Sequence, residues 1–267
     1  MVSGSLYLQP IKDKKIKGEG FAVLVRISFP FVEYFSTGRD KMVDNMKQEK
    51  KKVTRAQMKG KAAGMNIFPR MTVGVMGSAG GGLSTEVRRR VRRLGAIVAK
   101  RGFVLITGAC PGLPQEAVKG AKRAGGVVVG VSPALNLEEH VLKYHSPTRG
   151  YDAIIYTGSG LMGREIENIR SCDVVICAGG RSGTLGEFAI AYDEGKVIGV
   201  LKRTGGITEH LESIIDLINK DTGAVVCYDD DPERLLDKLE EIYQKQIIPR
   251  NIRVLKSDSG ADGKEDA

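Results

Sequence analysis

Apolar residues along this chain fall into short, nearly unbroken runs at 72–76, 103–107, 127–131, 153–156, 173–177, 197–201 and 224–227. Segments with helical periodicity lie between most of them, over 85–100, 113–124, 161–171, 184–194, 207–219 and 232–244. Strands that are continuously apolar, rather than alternating, are buried on both faces, which is the signature of a parallel sheet. Strands alternating with helices predict an α/β fold: a doubly wound, mostly parallel Rossmann-like sheet with helices on both faces. In such sheets ligands bind beyond the carboxyl ends of the strands, where the strand order reverses. The glycine-rich strand-to-helix turns are therefore the first places to look for function.

The pattern divides the chain into three parts. Residues 71–248 carry the regular alternation. Residues 1–70 do not, and are expected to be a poorly ordered basic extension or a stretch upstream of the natural start, with Met65 and Met71 as later start candidates. Residues 249–267 read as a polar, disordered tail.

Charge follows the same division. The net charge is +9, yet residues 1–70 hold 15 Lys+Arg against 6 Asp+Glu, which leaves 26 of each for the rest. The basicity belongs to the extension, so it says nothing about what the main domain binds. Arg88, Arg89, Arg90, Arg92 and Arg93 lie too close together to share one helix face and are expected on the surface, not on nucleic acid. No apolar run approaches the ~20 residues of a membrane span, and no secretory signal opens the chain. Cys110, Cys172, Cys177 and Cys227 form no CxxC pair, and His140, His145 and His210 are scattered, so no metal site is expected. Free thiols fit a reducing cytoplasm.

Three turns carry candidate chemistry. In Gly77-Ser78-Ala79-Gly80-Gly81-Gly82 the glycines allow close backbone approach and aim N–H groups at an anion. Gly77 and Ser78 are the candidate contacts there. The second turn runs from Thr107 to Pro114, with Gly108 and Gly112 as candidates. The third is Gly179-Gly180-Arg181-Ser182-Gly183-Thr184-Leu185-Gly186-Glu187. Gly180, Arg181, Ser182, Gly183 and Thr184 surround a helix start able to hold a phosphate. The competing reading is a capping box, with Thr184 as N-cap and Glu187 three residues on. Arg164 starts the preceding helix, on the same ligand edge of the sheet. Gly158-Ser159-Gly160-Leu161-Met162-Gly163 also matches G-x-G-x-x-G, but it sits mid-domain and lacks the acidic residue after the following strand.

The arginine at a helix start, followed by a strand and a Gly-Thr-x-x-Glu turn, resembles the Lonely Guy (LOG) family, also described as lysine decarboxylase-like. The resemblance spans residues 71–201. It implies hydrolysis of the N-glycosidic bond of a nucleoside 5′-monophosphate, releasing base and ribose 5-phosphate. By position it makes Arg164 and Glu187 the catalytic pair and Gly180, Gly183 and Thr184 phosphate contacts. Two departures stand out: Ala178 replaces the family's proline, and Arg181 and Ser182 lengthen the turn by one residue. That variant resembles molybdenum-cofactor carrier proteins, which bind a phosphate-bearing pterin without hydrolysing it. The expected partner is thus a small phosphorylated ligand, a nucleoside monophosphate or a pterin-type compound. No organic cofactor, nucleic acid or membrane is expected, and a homodimer or higher homo-oligomer is. The alternative to the hydrolase is a non-catalytic carrier or sensor. Nothing marks a pyridoxal-phosphate lysine.

Overall fold

The structure, a computed structural model, describes residues 69–258. The extension expected over 1–70 therefore lies outside the described residues except for its last two, as do residues 259–267. Strands β1 (Thr72–Gly77), β2 (Val104–Thr107), β3 (Val127–Ser132), β4 (Ala153–Tyr156), β5 (Val174–Ala178), β6 (Val197–Leu201) and β7 (Val225–Asp229) form one sheet in the order β4-β3-β2-β1-β5-β6-β7. Every neighbouring pair is parallel. The order runs outward from β1 in one direction through β4, then returns to the other side of β1 with β5. The topological switch point is therefore the gap between the carboxyl ends of β1 and β5, in register from Val73–Val174 to Gly77–Ala178.

Helices cover both faces. On one side lie α1 (Thr85–Lys100), α2 (Leu113–Arg123) and α7 (Pro232–Ile242), where Val91, Leu94, Leu113 and Leu235 meet Val73, Val75, Leu105 and Ile176. On the other lie α4 (Gly160–Arg170), α5 (Ser182–Asp193) and α6 (Leu211–Ile218), where Ile169, Phe188 and Leu211 meet Met76, Val175 and Ile198. The helix starts follow local chemistry. The Ser84 hydroxyl accepts from the Val87 N–H at 3.2 Å to open α1, and Asp231 caps α7 with Pro232 in its first turn.

Three elements depart from the expectation. A short helix α3 (Leu137–Leu142) occupies a stretch read as loop, opened by the Asn136 side chain accepting from the Glu139 N–H at 2.9 Å. The helix expected over 207–219 is a 3₁₀ turn (Gly206–Glu209) followed by α6. Residues 249–258, expected in the polar tail, are helical. A π turn (Tyr243–Ile247) carries α7 into α8 (Ile248–Asp258), and Tyr243, Ile247 and Ile248, the last residues of the expected domain, pack against the core, so the helix that continues through 249–258 starts from an anchored end.

The arginine cluster of α1 is tied down by this scaffold. Arg92 and Arg88 pair with the buried Glu116 of α2, and Arg93 reaches Asp231 and Glu233 at 2.7 Å each. Arg89 pairs with Glu86, and Arg90 donates to backbone carbonyls of Lys202, Arg203 and Asp230. None of the five is left without a protein partner.

Candidate functional site

At the switch point, polar bonds tie the predicted turns to one another. The Gly180 N–H donates to the Ser78 hydroxyl at 2.7 Å, across 102 residues of sequence. The Ser78 carbonyl accepts from the Leu113 N–H at 2.8 Å, beside Gly112. The Gly179 N–H is held by the Thr204 and Thr208 hydroxyls at 2.8 and 3.1 Å, on the loop after β6. Ser78, Gly112 and Gly180 thus join three turns into one rim, and the polar groups of Ser78 and Gly180 are engaged with protein. Gly77 ends β1 against the Ala178 carbonyl of β5.

Beyond that rim α5 begins. Its N-cap is Arg181, with no side-chain capping bond, and the first intrahelical bond runs from the Leu185 N–H to the Arg181 carbonyl at 3.0 Å. The N–H groups of Ser182, Gly183 and Thr184 therefore have no acceptor among the described residues. Ser182 and Gly183 are exposed, as is the Arg181 side chain. Because the helix starts at Ser182, Thr184 lies inside the first turn and the capping box does not form. Glu187 is freed to point elsewhere.

It points at Arg164. The guanidinium Nη1 lies 3.5 Å from Glu187 Oε1, and each residue is only 7% exposed. Arg164 reaches this position across Gly108, where a β-carbon would stand 2.0 Å from Nη1, so only glycine leaves the guanidinium room. Its Nε is buried with no partner, as is Oδ1 of Asn168 one helical turn on. Burial raises the Glu187 carboxyl to about 7; Arg164 opposes the shift and the neighbouring Glu165 adds to it. The site thus holds a carboxyl group that changes charge near neutral pH beside a permanent cation. Cys110 sits nearby, its thiol pushed up to about 11 by burial and hence protonated. The preceding Ala109 takes a left-handed φ of 48°, a strained backbone of the kind that clusters at functional sites.

Two site residues escaped the sequence reading. Glu165 is buried, makes no hydrogen bond or ion pair among the described residues, and lies against Gly183 and Gly186 of the α5 first turn. Its carboxyl is held above the ordinary range by burial, with Arg164 opposing. Asn168 stands four residues after Arg164, so helical spacing alone places it on the same face. The G-x-G-x-x-G stretch, by contrast, joins the edge strand β4 to α4, three strands from the switch point.

The model of the SLOG cluster4 family matches residues 70–236, more than half of the chain. The chain belongs to the SLOG cluster4 family. SLOG proteins are LOG-like, so the resemblance carried by Arg164 and the Gly-Thr-x-x-Glu turn holds at the level of the superfamily. An uncharacterized protein of Archaeoglobus fulgidus is 36% identical over 132 residues, covering 49% of this chain and 80% of the relative. Among solved structures, TM1055 is similar at 27% identity and a TM-score of 0.57, covering 64% of this SLOG chain and 99% of TM1055. A molybdenum cofactor binding protein from Rippkaea orientalis matches at 29% identity and 0.54, covering 66% and 98%. The molybdenum cofactor carrier protein of Chlamydomonas reinhardtii matches at 28% and 0.55, covering 66% and 100%.

Proposed function

We propose that this SLOG protein binds a small phosphorylated heterocycle at the switch point, with the phosphate on the N-terminus of α5 and the heterocycle toward Arg164 and Glu187. The observation that carries the reading is the uncapped helix start: three N–H groups without acceptors among the described residues, beside the exposed Arg181, on the same helix that carries Glu187 of the buried Arg–carboxyl pair. A helix N-terminus and a guanidinium are complementary to an oxyanion by dipole, by charge and by donor geometry. In this reading Ser182, Gly183, Thr184 and Arg181 contact the phosphate, Gly108 leaves room for the Arg164 guanidinium, Gly77 and Gly112 let the backbones of the turns close on one another, and Ser78 and Gly180 brace the rim. The similarity to molybdenum cofactor carrier and binding proteins supports a phosphate-bearing pterin as ligand and a carrier role.

A second reading rests on Glu187. A carboxyl group poised near neutrality beside Arg164 suits N-glycosidic hydrolysis of a nucleoside 5′-monophosphate. Water adds to C1′ of the ribose as the bond to the base breaks. Glu187, as carboxylate, takes a proton from the water and stabilises positive charge growing on the sugar. Arg164 holds the phosphate or the departing base; the base leaves with a proton from solvent, Glu187 returns to solvent the proton it took from the water, and the products are base and ribose 5-phosphate. One incubation separates the readings. The purified protein is mixed with a panel of nucleoside monophosphates and a phosphorylated pterin, and free base and bound ligand are quantified. Intact ligand retained on the protein supports the carrier; free base in proportion to enzyme supports the hydrolase; neither overturns both.

A further inference from the structure

Ala178 of β5 is in register with Leu201 of β6, so the chain leaving β6 runs beside Gly179 and Gly180 as they leave β5. Gly179 and Gly180 take left-handed φ values of 63° and 93°. Glycine samples both signs of φ freely, so its own sterics do not select this conformation. Outside contacts have to fix it, because the next residue, Arg181, is the N-cap of α5. The path of the two glycines sets the direction of that helix start, and with it where the N–H groups of Ser182, Gly183 and Thr184 point.

The loop after β6 supplies most of these contacts. The Gly179 N–H donates to Oγ1 of Thr204 at 2.8 Å and of Thr208 at 3.1 Å, and the Gly180 carbonyl accepts from the Ile207 N–H at 2.9 Å. The bond from the Gly180 N–H to Ser78 is the one that comes from elsewhere. Each hydroxyl has a carbonyl for its own proton, Leu201 at 2.6 Å for Thr204 and Gly205 at 2.9 Å for Thr208, which leaves lone pairs free to accept from Gly179. Both threonines are buried, 5% and 1% exposed, so solvent does not stand in for either. The loop is closed on itself by Glu209, whose Oε1 accepts from the N–H groups of Thr204 and Gly205 at 3.0 Å each. On the other side of the pair, Gly180 lies directly against the Thr184 side chain in the first turn of α5. The loop, the glycine pair and the helix start thus form one connected unit.

From this we infer that Thr204 and Thr208 are positioning residues for the phosphate-binding start of α5, acting through the Gly179–Gly180 turn and not by contact with the ligand. The inference takes the phosphate site from the proposed function. One hydroxyl would be enough to satisfy a single buried N–H. Two hydroxyls, on a loop that also bonds Gly180, fix the direction of that N–H and of the turn that follows it. If the pair did no more than satisfy a donor, its loss would disturb Gly179 alone. If it positions the helix start, the disturbance reaches Gly180, the first turn of α5 and the anion bound there.

The test compares the full chain as wild type, Thr204→Val, Thr204→Ser and the double variant Thr204→Val/Thr208→Val, with thermal melts to confirm folding. Valine keeps the shape and removes the hydroxyl, whereas serine keeps the hydroxyl. Amide hydrogen exchange is first followed by NMR without ligand at Gly179, at Gly180 and at Leu185 in the first turn of α5. The inference expects exchange at least about tenfold faster at Gly180 and Leu185 in the valine variants, and near wild-type rates in Thr204→Ser. Acceleration confined to Gly179, or none, overturns it. Should the double variant fail to fold, Thr204→Val decides alone. Inorganic phosphate is then titrated while the amide shifts of Ser182, Gly183 and Thr184 are read. Its dissociation constant should rise at least about tenfold in the folded valine variants and stay within about threefold of wild type in Thr204→Ser. Equal phosphate affinity in wild type and valine variants overturns the inference. Wild-type amides that ignore phosphate count against the proposed function instead, and the exchange rates then decide the positioning role.

Discussion

Replacing Glu187 by Gln tests the electrostatics of the site without any knowledge of its ligand. Burial disfavours the charged carboxylate more than Arg164 favours it, raising the group from 4.5 to about 7. A raised carboxyl binds its proton more tightly in the folded state than in the unfolded chain. Folding therefore carries no penalty from Glu187 well below pH 4.5; the penalty grows as pH rises from 4.5 to 7 and is complete above it. A difference of 2.5 in pKa corresponds to about 3 kcal/mol at 1.36 kcal/mol per unit. Glutamine keeps the shape and removes the titration. Urea unfolding of wild type and Glu187→Gln at pH 4.5 and pH 8 gives the needed comparison, because the other titrating groups largely cancel between the two proteins. Relative to wild type, the variant should gain about 3 kcal/mol between the two pH values. Parallel pH profiles would mean that Glu187 titrates as an ordinary carboxylate. A relative loss at high pH would mean that attraction to Arg164 outweighs burial. Either result refutes the picture of a carboxyl group held near neutrality.

Three further outcomes follow from the same geometry. Gly108→Ala drives a β-carbon to within 2.0 Å of the Arg164 guanidinium, the flexible end of its side chain, so the fold should persist while the guanidinium moves; loss of its charge-assisted bonds should weaken the ligand about 10- to 150-fold by calorimetry, and unchanged affinity would remove Arg164 from the site. Arg181→Ala should weaken a phosphorylated ligand by a similar ~10- to 150-fold while barely changing its dephosphorylated form, and equal losses for both would place Arg181 outside the phosphate contact. Glu165 lies against the helix turn assigned to the phosphate and its carboxyl is held above the ordinary range; phosphate affinity should fall as pH rises and Glu165 ionises, and Glu165→Gln should flatten that dependence, whereas a variant with the wild-type profile would show that Glu165 does not sense the bound anion.

The sheet was legible because each strand is a continuous apolar run, and a run buried on both faces admits few other interpretations. The order of the strands was not written in any local string: β1 and β5 become neighbours only when the chain returns across the first strand. Helix α3 went unseen because six residues offer no apolar period, only the capping side chain of Asn136. The helix over 249–258 went unseen because its residues after Ile248 are mostly polar and only Ile247 and Ile248, at its start, pack against the core. In the site, Arg164 and Glu187 could be read from residue type and spacing. Whether Thr184 and Glu187 form a capping box could not, since that depends on α5 starting two residues earlier, at Ser182. The bond between Ser78 and Gly180 joins residues 102 apart and had no sequence signal. Glu165 was passed over because a charged residue next to an arginine on a helix ordinarily faces water. Here both side chains turn inward, and that inversion of α4 exposes its apolar flank.

The central claim is that the uncapped start of α5 and the Arg164–Glu187 pair form one site for a phosphorylated ligand. Its most direct test is calorimetric titration of the wild-type protein with a phosphorylated compound from whichever class the incubation panel retains, and with the same compound lacking its phosphate. The account predicts saturable binding of the phosphorylated form at one site per chain, at least about tenfold tighter than the dephosphorylated form, the ratio expected from ~1.4 kcal/mol of phosphate contact. Equal affinity for the two forms, or binding of neither, would contradict it.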